Sequence, residues 1–367
     1  MSKSQEAART VIEGANMKAK NPVPVIHKRN LLGSGSTLLN LACTGRPEGA
    51  FLKGKYFYIV GDSASGKTFL SMSCFAEATL NKYFRRYRLI YDNIEDGCLI
   101  DLEALFNKQV ASRVEAPAYN EDGTPLHSDT VEEFYYNVDD AIEKGVPFIY
   151  ILDSMDGLSS DAEGSKFQEQ KEAHRRGKET AGSYGDGKAK KNSEHLRKVL
   201  SGIRATKSIL IVLSQTRDNL GFGFKKKTRS GGRALRFYAT VEIWTSVVKA
   251  IRKTVNGKPR QIGVQVKADV QKNRITGKLH QVTMSIYPTY GIDDTGSMID
   301  YLVDEGAATK RGSRIQISDL DVEEPMARDA LIRHIESNSL VEALRAAVWT
   351  CWLDVEEAKS LEREKRY

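Results

Sequence analysis

Cysteine is scarce in this chain of 367 residues: Cys43, Cys74, Cys98 and Cys351 are all there is, and no two stand in a C-x-x-C pair. That spacing excludes a disulfide framework and a cysteine-built zinc site. The six histidines are just as scattered, so a metal is expected only in company with another ligand. No apolar run approaches the ~20 residues that a membrane span needs. The opening stretch, MSKSQEAARTVIEGANMK, has no apolar segment of the kind that begins a secretory signal. The expectation is a cytoplasmic protein with no membrane partner. Hydrophobic residues make up 40% of the chain and charged residues 28%, which suits one large α/β core with small additions. The formal net charge of +7 has the sign that favours a polyanion as partner.

What is present is a series of short, continuous apolar runs. KYFYIVGD (55–62), RLIYDN (88–93), FIYILDS (148–154) and SILIVLSQT (208–216) read as buried strands. Between them lie segments with helical spacing, such as Val131, Phe134, Val138 and Ile142. Continuous apolar strands separated by helices predict an α/β fold: a mostly parallel central sheet with helices on both faces. Three later runs, at 241–249, 262–271 and 279–289, are joined by the turn signals VNGK and ITGK. They predict an antiparallel extension of that sheet. Residues 1–30 read as an N-terminal segment, a candidate oligomerisation arm, with a short helix near 5–18 and then an extended NPVPV linker. Residues 306–367 read as a small C-terminal helical region, with Leu340, Val341, Leu344, Val348, Trp352 and Val355 at helical spacing.

The stretch GDSASGKT (61–68) has the spacing G-x-x-x-x-G-K-T, between a predicted strand and a predicted helix. This is the context in which such a loop holds nucleotide phosphates. Gly61, Asp62, Ser63, Ala64, Ser65 and Gly66 would turn backbone amides inward. Lys67 would bring a positive charge to the β/γ-phosphates, and Thr68 a hydroxyl for Mg²⁺. The outgoing helix adds the positive end of its dipole. Asp153, closing an apolar strand, is the candidate second ligand of the metal, and ATP with Mg²⁺ is the expected cofactor. Just past the second strand, YDNIEDG offers Glu95 to polarise an attacking water, with Asp92 and Asp96 as rivals. Gln215, at the end of the fourth strand, can bond the γ-phosphate and shift when it leaves.

Beyond Gln215 runs TRDNLGFGFKKKTRSGGRALRFYATVEIW. Its glycines and cations cannot form a core; they suit a segment that orders against a polyanion. Lys225, Lys226, Lys227 and Arg229 can neutralise phosphates. Phe222 and Phe224 offer apolar faces to bases. Because the loop is joined directly to Gln215, nucleotide state and loop order can be coupled.

GDSASGKT, YILDS, LSQTR and SGGRALRFYATVEIW in this order resemble the RecA family of DNA-recombination ATPases, over about residues 31–305. The resemblance implies a RecA-like ATPase core. It implies that Lys67 and Thr68 hold phosphate and Mg²⁺, that Asp153 is the acidic metal ligand, and that Glu95 is the catalytic glutamate, though one residue beyond the usual spacing. Gln215 would sense the γ-phosphate. Arg217, Gly231, Gly232, Arg233 and Arg236 fall in the DNA-binding loop, and Phe237 matches a phenylalanine that packs between subunits. QKNRITGK (271–278) resembles a segment that reaches a neighbour's ATP, which makes Lys272 and Arg274 cations acting in trans. The implied partners are single-stranded DNA, a homologous duplex, further copies of the chain in a helical filament, and single-strand-binding or mediator proteins. The segment 159–192 is longer than the family's first DNA loop; Arg175, Arg176, Lys188, Lys190 and Lys191 are its candidate DNA contacts. Two alternatives stay open on these residues: a ring-shaped helicase or motor on the same core, and an accessory DNA-binding paralogue that hydrolyses ATP weakly.

Overall fold

A computed structural model describes residues 26–94, 101–176, 187–218, 227–229, 232–320, 322 and 324–363. The predicted helix near 5–18 and the linker after it lie outside the described residues, as do Glu95, Asp96, Phe222, Phe224, Lys225, Lys226 and Gly231.

The core is a nine-stranded sheet. Its strands in chain order are β1 (Lys55–Gly61), β2 (Arg88–Asn93), β3 (Phe148–Asp153), β4 (Ile209–Asp218), β5 (Lys227–Arg229), β6 (Val241–Val255), β7 (Lys258–Asn273), β8 (Gln281–Tyr287) and β9 (Gly291–Asp293). Across the sheet they run β9-β8-β7-β6-β1-β4-β3-β2, with β5 paired to the end of β4. The five strands from β6 to β2 are parallel, and β7, β8 and β9 extend them antiparallel.

The parallel strands are apolar throughout because both faces are covered, and alternate residues serve different cores. Along β1, Phe57 and Ile59 pack with α1 (Thr37–Thr44) and α2 (Lys67–Leu80). Tyr56, Tyr58 and Val60 pack with α3 (Val131–Glu143) and with α5 (Gly187–Thr206) on the opposite face. The helical spacing of Val131, Phe134, Val138 and Ile142 is observed as α3, opened by a capping box between Thr130 and Glu133. Part of the 159–192 segment is helical: α4 (Asp161–Arg175) precedes α5. VNGK forms the turn between β6 and β7, with Asn256 and Gly257 both at positive φ, as a two-residue hairpin turn requires.

Two helices, α8 (Arg328–Ser337) and α9 (Val341–Ala358), follow α6 (Arg233–Tyr238) and α7 (Asp294–Asp304) in the chain. The C-terminal region also holds a three-stranded sheet of β10 (Thr309–Arg311), β11 (Arg314–Gln316) and β12 (Met326–Ala327). These strands of two or three residues are too short to show alternation in sequence. Leu344, Val348 and Trp352 of α9 share one hydrophobic cluster with Leu38 of α1 and Met298 of α7.

Candidate nucleotide site and basic loop

The phosphate-loop motif lies where β1 ends and α2 begins, so the helix N-terminus faces the loop. Two of its glycines are demanded by space. A Cβ on Gly61 would sit 2.1 Å from the Thr245 hydroxyl, and one on Gly66 would sit 2.5 Å from Ile286 Cδ1. Gly66 also holds φ +82°, a region that side chains disfavour. Lys67 is buried, and its Nζ donates to the carbonyls of Gly61 (2.9 Å) and Asp62 (2.8 Å). It therefore lies along the inside of the loop.

Thr68 Oγ1 donates to Asp153 Oδ2 at 2.7 Å, and the Tyr91 hydroxyl donates to the same oxygen at 2.9 Å. A hydroxyl and a carboxylate thus converge beside the loop, as a hard, oxygen-seeking cation requires. The cleft above them is about 600 Å³. Its far wall comes from the antiparallel extension: Ile262, Gly263 and Val264 of β7, Ile286 of β8, and Pro288. Phosphate-seeking groups on one side and an apolar wall on the other match the two ends of a nucleotide.

Asp92 points elsewhere. Its carboxylate accepts from Ser128 N (3.1 Å), Ser128 Oγ (2.6 Å) and the Tyr150 hydroxyl (2.7 Å), with His127 Nδ1 at 3.8 Å. Strand alternation is the reason. Tyr91 reaches Asp153 and Asn93 lines the cleft, so the residue between them faces the other side of the sheet.

Gln215 ends the parallel register, opposite Gly61. Its backbone amide donates to Asp156 Oδ2 at 2.6 Å, and Ser214 Oγ donates to the same oxygen at 2.8 Å. One residue on, the Thr216 hydroxyl donates to the Asp62 carboxylate in the phosphate loop. Thr216 also opens the β4–β5 hairpin, pairing with Arg229, followed by Arg217 with Thr228 and Asp218 with Lys227. The strand that touches the phosphate loop is thus the strand that enters the basic loop.

The basic loop returns through Gly232 into α6, which packs on the start of α5; a Cβ on Gly232 would lie 2.7 Å from that of Ala189. Lys190 and Arg233 are exposed and line one surface hollow with Phe237. The ends of the two predicted DNA-contacting segments therefore meet. Among the other candidates, Lys188 pairs with Glu163 (3.5 Å), Lys191 with buried Glu132 (3.4 Å) and Arg176 with Glu172 (3.4 Å). Arg236 is turned inward: its Nε lies 2.9 Å from Oε2 of Glu242, a wholly buried carboxylate.

Lys272, Arg274 and Phe237 form a second cluster. Lys272 Nζ donates to the carbonyls of Arg236 (2.5 Å) and Phe237 (2.7 Å) at the C-terminal end of α6, where the helix dipole favours a cation. The exposed Arg274 guanidinium lies 5.6 Å from the centre of the exposed Phe237 ring. Arg274 N bonds Thr240 O, whereas Thr245, five positions further along, is level with Gly61. At about 3.3 Å per residue this sets the cluster roughly 17 Å from the phosphate loop along the strand direction.

Sequence reading did not single out Tyr91, Asn93, Thr216 or Thr245. The period of β2 was the available signal for the first two. Thr245, bonded to Ser65 Oγ at 2.8 Å, depends on β6 lying beside β1, which no local pattern announces.

Strand order, the glycine loop at the end of a central parallel strand and the carboxylate on a nearby strand define an α/β protein of the phosphate-loop class. The RecA N-terminal domain family matches residues 172–293. The RecA proteins of Enterococcus faecalis, Agrobacterium fabrum and Cytophaga hutchinsonii are each 26% identical to the chain, over 288, 328 and 337 residues. These alignments cover 78%, 85% and 86% of this chain and 73%, 78% and 82% of theirs. Over most of its length the chain is thus similar to RecA proteins.

Proposed function

We propose that this protein is an ATP-dependent DNA recombinase. It coats single-stranded DNA as a helical filament, pairs it with a homologous duplex and exchanges strands during recombination and repair. The observation that carries this reading is the Thr216–Asp62 hydrogen bond at the root of the basic hairpin. It gives the phosphate loop a mechanical hold on the segment richest in DNA-binding character.

In this reading, the loop amides and Lys67 hold the triphosphate of ATP. Lys67 leaves the carbonyls of Gly61 and Asp62 for phosphate oxygens, a stronger acceptor for an ammonium. Thr68 and Asp153 hold Mg²⁺, which when bound would draw negative charge from the phosphate oxygens. Glu95 orients the attacking water. Gln215 reports the γ-phosphate along β4 to Arg217, Phe222, Phe224, Lys225, Lys226, Lys227 and Arg229, which grip unpaired DNA. Lys272 and Arg274, far along the strand from their own loop, serve a neighbour's ATP. Hydrolysis loosens the loop and releases DNA.

The test is electron microscopy of the protein with single-stranded DNA and a slowly hydrolysed ATP analogue, alongside Thr216→Val. Helical filaments are expected from the parent. The variant should still bind nucleotide, but its single-strand affinity should no longer respond to it. Closed rings, dispersed particles, or an undiminished response in Thr216→Val would overturn the reading.

A further inference from the structure

Beyond the core, β6 and β7 continue as a free two-stranded ribbon. β6 pairs with β1 only over Val241–Thr245, and β7 pairs with β8 only over Val264–Asp269. From Ile251, opposite Gly263, to the turn at Asn256 and Gly257 the two strands pair only with each other. The four steps from Ile251 to Val255, at about 3.4 Å each, make an arm of roughly 14 Å. Residues 252–262 are all exposed.

The arm is strongly cationic. Lys249 at its root and Arg252, Lys253, Lys258 and Arg260 along it are exposed, and residues 247–268 contain no acid. Among the described residues none of these five cations forms an ion pair. Lys253 stands directly opposite Arg260, and Val255 opposite Lys258. By alternation, Lys253, Lys258 and Arg260 share one face. Like charges held opposite one another cost stability, and among the described residues no ion pair offsets that cost. An external polyanion would.

We infer that this ribbon is a docking arm for double-stranded DNA, distinct from the 217–236 loop. Two observations favour a duplex over a single strand. Residues 247–263 contain no aromatic side chain, so the arm lacks the stacking platforms with which proteins hold unpaired bases. A two-stranded β-ribbon also has the width that the major groove of B-DNA admits, about 12 Å. The arm is built from hydrogen-bonded strands, so its hold on DNA needs no ordering by ATP. It shares with the proposed function only DNA as the partner. The root of the arm is nonetheless a wall of the nucleotide cleft, through Gln261, Ile262 and Gly263.

The test measures binding of the full chain to a fluorescent duplex and, separately, to a fluorescent single strand, without nucleotide and across salt concentrations. The variant is Lys253→Gln/Lys258→Gln/Arg260→Gln. Three lost phosphate contacts should lower the salt slope for the duplex by about 2.7, at about 0.9 per contact. The duplex affinity lost between about 50 and about 200 mM salt should then shrink roughly 40-fold. Single-strand binding and the ATPase rate should hold. The charge-conserving variant Lys253→Arg/Lys258→Arg/Arg260→Lys should keep the parent slope, which separates charge from folding. An unchanged duplex slope, or equal weakening toward both DNA forms, overturns the inference. Failure to form filaments would leave the duplex result standing, so the two readings fail separately.

Discussion

Arg236 lies in the basic loop's exit helix, where a DNA contact is the sequence-based expectation, yet its guanidinium neutralises a buried acid. Glu242 is 0% exposed; Arg236 Nε lies 2.9 Å from one of its oxygens, and Trp244 Nε1 donates to the other at 3.1 Å. Arg236→Ala would strand that carboxylate in the core. Removing one partner of a buried ion pair costs about 3–5 kcal/mol. The arginine side chain is 40% exposed, so water can reach part of the vacated space, and about 2–3 kcal/mol is expected. Urea unfolding of the DNA-free protein measures it. Glu242→Gln added to Arg236→Ala should recover most of the loss, because the stranded charge is gone. If Arg236→Ala unfolds within about 0.5 kcal/mol of the parent, the range of an ordinary surface change, the structural role is refuted. A loss of DNA affinity at unchanged stability would assign the arginine to DNA directly.

Three further outcomes are expected. Gly66→Ala puts a methyl against Ile286 at φ +82°, which should cost about 1–3 kcal/mol and weaken nucleotide binding at least as much as thermal stability, read by titration and melting. Arg274→Ala should slow ATP hydrolysis in assembled protein while leaving the melting temperature of the DNA-free chain unchanged; an unaffected rate removes the trans-acting role. Glu77 lies under Gly33, and burial, together with the nearby Asp294 carboxylate, raises its pKa against the pull of Arg345. A carboxyl with a raised folded-state pKa favours folding most below the ordinary glutamate range and loses that contribution as pH rises through the raised value. Glu77→Gln should therefore match the parent near pH 4 and gain on it toward pH 8; a variant less stable than the parent at pH 8 contradicts this.

The central strands were legible because both faces of each are buried, which leaves continuous runs such as YFYIV and FIYIL bounded by polar turns. The phosphate loop was legible because its chemistry is local: spacing, a strand before and a helix after. What escaped is what depends on neighbours distant in sequence. Arg236 looked like a loop cation because Glu242 gives no sign in sequence that it is buried. Asp92 looked like a rival catalytic acid until the pairing of β2 with β3 turned it toward Ser128 and Tyr150. The 159–192 stretch, mixed in charge, hides a helix whose start is capped by Ser160 and whose acids Asp161 and Glu163 lie in its first turn. Asp161 and Glu163 favour that end through the helix dipole, a signal present in the sequence and outweighed there by the density of Lys and Arg.

The shared packing of Leu344, Val348 and Trp352 with Leu38 and Met298 bears on how the protein can be dissected. Cutting the chain after residue 305 would bare an oily hollow beside α1 and α7, and the shortened product should clump. A dead truncation of that kind would report lost solubility, and whatever α9 contributes to assembly is better sought by changing its outward-facing residues, such as Leu353, one at a time.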